Sequence, residues 1–191
     1  MSSPNGERRR QELLRAAAAV FARRGYERAK VAEIAEQAHV ATGTFYLYFP
    51  SKEECFLDLV AQLYEIVLAR VARARHGAPD VLRKLEASIA AVLETFEEER
   101  DLASVVLLQG SGSLPQMAER LRSVEQHLAA LLGEDLHEAG AVGLIAPGDS
   151  ELRAHLVIGA MREALLYRLR HQGAPQAQDA AVREFLLRAL G

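Results

Sequence analysis

Residues 41–52 read ATGTFYLYFPSK. Ala, Leu, Arg and Glu dominate the chain around this stretch, whereas here small polar residues and aromatics crowd together ahead of a proline and a lysine. Projected as a helix at about 100° per residue, Phe45 and Phe49 share one side, about 40° apart, and that side belongs against a core. Gly43, Thr44 and Leu47 fall roughly opposite. Thr42 and Tyr46 flank one edge and Tyr48 the other. A helix lying in the major groove of DNA needs small residues where base edges come close, and hydrogen-bonding side chains where the phosphates run. Thr44 offers a methyl or a hydroxyl to a base, and Gly43 permits close approach. Thr42, Tyr46 and Tyr48 have the reach for phosphate oxygens.

The segment before it supplies a supporting helix. VAEIAEQA, residues 31–38, places Val31, Ile34, Ala35 and Ala38 on one face, and His39-Val40 turns the corner with Val40 as an apolar plug. Helix, short turn and second helix make a helix-turn-helix. Pro50 then ends the second helix. Ser51 and Glu54 have the spacing of a capping box for the next one. Lys52 falls in that helix's first turn, where backbone N–H groups and its own charge favour a phosphate.

Charge is distributed unevenly along the chain. Residues 1–52 hold nine Lys or Arg against five Asp or Glu, and residues 53–191 hold fourteen against twenty-one. A basic end on an acidic body fits a local anionic partner, nucleic acid first, although a solvated helix surface gives the same balance. The single cysteine, Cys55, excludes an intramolecular disulfide and a thiolate metal cluster, fits a reducing cytoplasmic compartment, and reads as a packing residue. No run of about 18 apolar residues occurs, so no membrane span is expected. The basic start, MSSPNGERRRQELL, lacks the apolar stretch of a signal peptide and reads as a short arm entering a helix.

The fold class expected is all-α. The six prolines and most glycines punctuate helical periodicity, and no strand-like alternation stands out. The pattern predicts helices over 7–24, 31–38, 42–48, 51–75, 79–99, 101–109, 114–139, 149–171 and 176–190. Leu13, Leu14, Ala17, Val20 and Phe21 form an apolar stripe in the first, and Met117, Leu121, Val124, Leu128 and Leu131 form one in the seventh, which Gly133 is placed to bend. GSGS at 110–113 reads as a break and AGAVGLIAPGDS at 139–150 as a loop. The expected division is a DNA-binding domain over 1–52 and a larger helical domain over 53–191.

With these pieces assembled, LLRAAAAVFARRGYERAKVAEIAEQAHV and ATGTFYLYFPSKEECF resemble the TetR family of bacterial transcriptional repressors, over about residues 10–57. Two positions depart from the family pattern. Ala29-Lys30 stand where a capping Thr or Ser is usual, so Lys30 would trade a hydroxyl contact to phosphate for a charge-assisted one, without capping. His39 stands where the turn usually has Gly. The resemblance implies Thr42, Gly43, Thr44, Tyr46, Tyr48 and Lys52 as DNA contacts, together with Lys30. It also implies a homodimer held by the last two helices, where Gly159 and Ala160 permit close contact. Two reading heads would then sit about 34–36 Å apart on a palindromic double-stranded DNA operator.

The same resemblance implies a cavity in the larger domain for a hydrophobic small-molecule effector. The lining expected is Leu63, Val67, Phe96, Met117, Leu121 and Met161, each of which reads as plain core before it reads as a ligand contact, with Gln109 and Arg162 for a polar head, which nothing in the sequence singles out. The YLYF segment and helix layout resemble the acyl-CoA-sensing branch of the family, with a multidrug-efflux or other lipophilic-compound regulator as the alternative. No cofactor is expected. Ligand would favour a subunit arrangement in which the recognition helices no longer match successive grooves.

Two rivals come from other classes. An enzyme would need a constellation that the scattered histidines do not make: EDLH at 134–137 is one Glu-x-x-His where a di-iron bundle needs two, ELRAH at 151–155 has the wrong spacing, and neither a nucleophile motif nor a Gly-rich phosphate loop is present. A non-catalytic helical adaptor would explain the stripes and the punctuation but not the Thr/Gly/Tyr face of residues 42–48.

Overall fold

A computed structural model describes residues 4–109, 115–171 and 175–190. The described residues form nine helices and no strand: α1 (Pro4–Arg24), α2 (Val31–Gln37), α3 (Thr42–Tyr48), α4 (Lys52–Arg75), α5 (Val81–Glu98), α6 (Arg100–Gln109), α7 (Pro115–Ala141), α8 (Ser150–Arg170) and α9 (Pro175–Leu190). The punctuation acts as its chemistry requires. Gly25, at φ +80°, closes α1 with its N–H on the Phe21 carbonyl, 2.9 Å away. The Ser51 hydroxyl accepts from the Glu54 N–H at 3.1 Å to start α4, Asp80 does the same for α5 through the Arg83 N–H, and Asp149 caps α8 through the Leu152 N–H. Gly133 stays inside α7, which runs on to Ala141, three positions into the stretch expected as a loop. The GSGS break lies outside the described residues.

Packing divides the chain into two compact units, Met1–Leu63 with Glu99–Glu119, and Tyr64–Glu98 with Arg120–Gly191. This differs from a functional division after residue 52 in two ways. The start of α4 belongs to the first unit because Cys55, Phe56, Leu59, Val60 and Leu63 are buried. Residues of α6 join it because α6 packs on α1.

The core of the first unit is aromatic. Phe21, Tyr26 and Phe56 pack with ring centroids 5.1–5.7 Å apart, and Phe45 and Phe49 pair at 5.4 Å. Around them lie Leu13, Leu14, Ala17, Val20, Ile34 and Ala35, all buried. Burying a Phe side chain contributes on the order of 2–3 kcal/mol, so these rings contribute substantially to holding the seven-residue α3 against α1 and α4. In the second unit α9 packs on α5 and α8. Arg168, buried on α8, pairs with Glu97 of α5 at 2.6 Å and Asp179 of α9 at 2.5 Å. Arg75 holds buried Asp135 of α7 with both terminal nitrogens, Nη2 at 2.8 Å from Oδ1.

Candidate nucleic-acid interface

α3 is seven residues long, too short to be stable alone. It is held by its apolar edge: Phe45 and Phe49 are fully buried, and the Arg10 guanidinium lies 5.3 Å from the Phe49 ring centroid while also pairing with Asp58. Fixing that edge decides what the other edge presents. Thr42 and Gly43 are exposed, Thr44 and Tyr48 are half-buried, and Tyr46 is 53% exposed with its ring edge-on to Phe45. A Cβ built on Gly43 meets nothing within 4 Å, so the chain itself does not require glycine there.

Leu47 is the residue that the choice of contacts from sequence left out. It is 82% exposed, the most open of the large apolar side chains among the described residues, and stands in the middle of the outward face. The signal was available: the same projection that set Thr44 outward set Leu47 beside it. Apolar side chains read thymine methyl groups.

The turn between α2 and α3 has the hydrogen bonds of a Schellman motif. The Val40 N–H donates to the Ala35 carbonyl at 2.9 Å and the His39 N–H to the Glu36 carbonyl at 3.0 Å. His39 occupies the left-handed position, φ +55°, where glycine is the usual residue. At the start of α2, Lys30 is exposed in extended conformation and gives no side-chain cap. Glu33 supplies one, its carboxylate accepting from the Lys30 backbone N–H at 3.0 Å. Arg23, Arg24, Arg28 and Lys30 gather around one surface depression with Glu33, whose Oε1 lies 3.3 Å from Arg24 Nε.

Lys52 does not point where its charge and position lead one to expect. Its ammonium turns back into the α1–α2 connection and donates to the carbonyls of Tyr26 at 2.7 Å, Ala29 at 3.2 Å and Glu27 at 3.4 Å. A sequence does not display such an acceptor set, because the three carbonyls come from backbone that no side-chain pattern marks.

Residues 13–59 match the family described as bacterial regulatory proteins, tetR family. A tetR-family domain occupies these residues of the chain. It is similar to the fatty acid metabolism regulator protein of Bacillus subtilis, 26% identical over 155 residues, which are 81% of this chain and 80% of that one. It is also similar to the HTH-type transcriptional repressor KstR2 of Mycolicibacterium smegmatis, 28% identical over 190 residues, 96% of this chain and 89% of that one. Among solved structures, the fatty acid degradation regulator FadR from Bacillus halodurans superposes with a TM-score of 0.82 at 26% identity, covering 95% of this chain and 99% of that one. All three are named as regulators, and the third shares the helical layout of this chain.

In the second unit, Val67 and Met161 are buried and Phe96 is half-buried; Leu63 is buried in the first unit. Arg162 is exposed, with Nε 3.7 Å from Glu125 Oε1. The side chains of Gln109, Met117 and Leu121 lie outside the described residues. Tyr64, which sequence reading passed over, sits near the Glu125–Arg162 pair, and burial pushes its phenol well above the usual tyrosine range, with Glu125 adding to the rise and Arg162 opposing it. Burial likewise pushes the Cys55 thiol well up, which suits a packing residue. Among the described residues no group of His, Cys, Asp and Glu is arranged to hold a metal ion, and no helix is long and apolar enough to cross a membrane.

Proposed function

We propose that this TetR-family regulator binds double-stranded DNA through the outer face of α3, with Thr42, Gly43, Thr44, Tyr46 and Tyr48 at the duplex and Lys30 on a flanking phosphate. The observation that carries the reading is the opposition of two sides of one short helix: two buried phenylalanines, and across from them Gly43, Tyr46 and Leu47 in the open. Leu47 joins the contact set, against a thymine methyl. Tyr46→Phe and Lys30→Ala are expected to weaken binding across all sequences, and Lys30→Ala to lower the salt slope by about 1. Thr44→Ala is expected to change sequence preference instead. Titrations on duplexes recovered from genomic fragments read both effects. Wild-type behaviour in all three variants would dismiss this face.

The regulator acts as a homodimer on a palindromic operator. Leu152 and Leu156 of α8 and Phe185 of α9 are each more than half exposed, and Gly159 has nothing within 4 Å of the position a Cβ would take, so α8 leaves an apolar, closely approachable face for a second copy. The effector is an acyl-CoA or related acyl amphiphile that releases the operator. The names of two relatives, regulators of fatty acid metabolism and degradation, support that class over other lipophilic compounds. The name of a third supports repression. Its acyl chain would meet Val67, Phe96 and Met161 of the second unit, and its polar part Arg162. A hundredfold release needs about 2.7 kcal/mol of differential binding. Adding long-chain acyl-CoA to the protein–DNA complex is expected to raise the dissociation constant by about that factor; no change over a series of chain lengths would remove the acyl-CoA effector.

A further inference from the structure

We propose that Lys52 is a positioning residue for DNA recognition, and that it serves the interface by closing the α1–α2 connection from within rather than by touching phosphate. The inference rests on the DNA-binding reading above. A lysine ammonium has three hydrogens in a tetrahedral array. At Lys52 three carbonyls converge on it, those of Tyr26, Ala29 and Glu27, at 2.7, 3.2 and 3.4 Å. Nζ also lies 4.4 Å from the centroid of the Tyr26 ring. With three acceptors filled and the ring beneath, no hydrogen of the ammonium remains for a phosphate in this arrangement.

The turn so held is short and consequential. It runs from Gly25 to Lys30 and is spanned by a backbone bond from the Ala29 N–H to the Gly25 carbonyl, 3.1 Å long. The carbonyls of Tyr26, Glu27 and Ala29 point toward the start of α4, so a cation at the first residue of α4 is the group that satisfies them. Lys30 follows directly and forms the N-cap of α2, and α2 packs on α3. Lys52 therefore sets the entry of α2, and through it the seating of α3.

Arginine separates the two roles. A guanidinium serves a phosphate at least as well as an ammonium does, but its planar fork does not fit three carbonyls converging on a point. Lys52→Arg and Lys52→Met in the full-length protein, checked for folding by circular dichroism, are compared with wild type in two measurements. Amide hydrogen exchange over residues 25–31 is read on the free protein, where it does not depend on any DNA. Affinity for a duplex recovered by the wild-type protein from a random-sequence pool is read across salt concentrations, well below the melting temperature of each variant. Both variants are expected to speed exchange in the turn about tenfold, and to lose about tenfold in affinity at every salt with the slope unchanged. If Lys52→Arg binds like wild type, Lys52→Met drops the slope by about 1, and exchange in the turn stays as it was, Lys52 is a phosphate contact and the inference is overturned. A wild-type protein that captures no DNA would sink the DNA-binding reading, while the exchange measurement would still decide what Lys52 holds.

Discussion

His39 shows what a single residue costs in this fold. A side chain at φ +55° loses about 1–2 kcal/mol against the right-handed region, and a glycine there gives back about 0.5–1 kcal/mol through the unfolded chain. His39→Gly is therefore expected to stabilise the protein by about 0.5–1 kcal/mol, seen as a melting temperature about 1–4 °C higher. The left-handed position was legible from the sequence, since a two-residue turn between helices calls for one; that histidine occupies it was visible as a departure from the family pattern. Cys55 gives a pH test at the same scale. Its thiol is held protonated by burial in the folded protein, with Asp58 adding to the rise and Arg10 opposing it. Above about pH 8.5 the unfolded chain sheds that proton and the folded chain keeps it, so stability falls as pH rises, by up to about 1.4 kcal/mol per unit. Denaturant titrations from pH 7 to 10 are expected to show that slope, and to show a shallower one in Cys55→Ala.

The elements follow their sequence signals closely because capping groups and prolines are local. Ser51, Asp80 and Asp149 each start a helix by accepting a backbone N–H. What escaped is non-local. The burial of Asp135 depends on a guanidinium sixty positions earlier, and nothing in the apolar stripe of α7 announces it. Arg75→Met leaves the Asp135 carboxylate buried without its partner, and is expected to cost about 3 kcal/mol in urea unfolding. The apolar residues of α9 likewise face two ways. Leu186 turns into the unit and Phe185 turns out, because a helix packed on two neighbours and open on a third side presents apolar residues both ways. For α3 the phenylalanine edge alone fixed the orientation, so the candidate face was readable, whereas the carbonyls that gather around Lys52 were not.

At the scale of the whole molecule, the two packing units cut across the order of the chain, since α6 joins α1 to α3. Helix count and order were legible; the membership of α6 was not, because it depends on which apolar face finds α1. Dimer formation gives a prediction here. Leu156→Glu puts a charge on the exposed face of α8 and is expected to yield a folded monomer by sedimentation, with operator affinity down at least a hundredfold. The central claim, that the outer face of α3 reads duplex DNA, is tested most directly by selecting from a random-sequence duplex pool with wild-type protein and Thr44→Ala in parallel. The expected result is an inverted repeat for the wild type, its half-sites centred about 10–10.5 base pairs or a multiple apart, and a changed preference within the half-site for the variant. An unenriched pool, or identical sequences from both proteins, would contradict it.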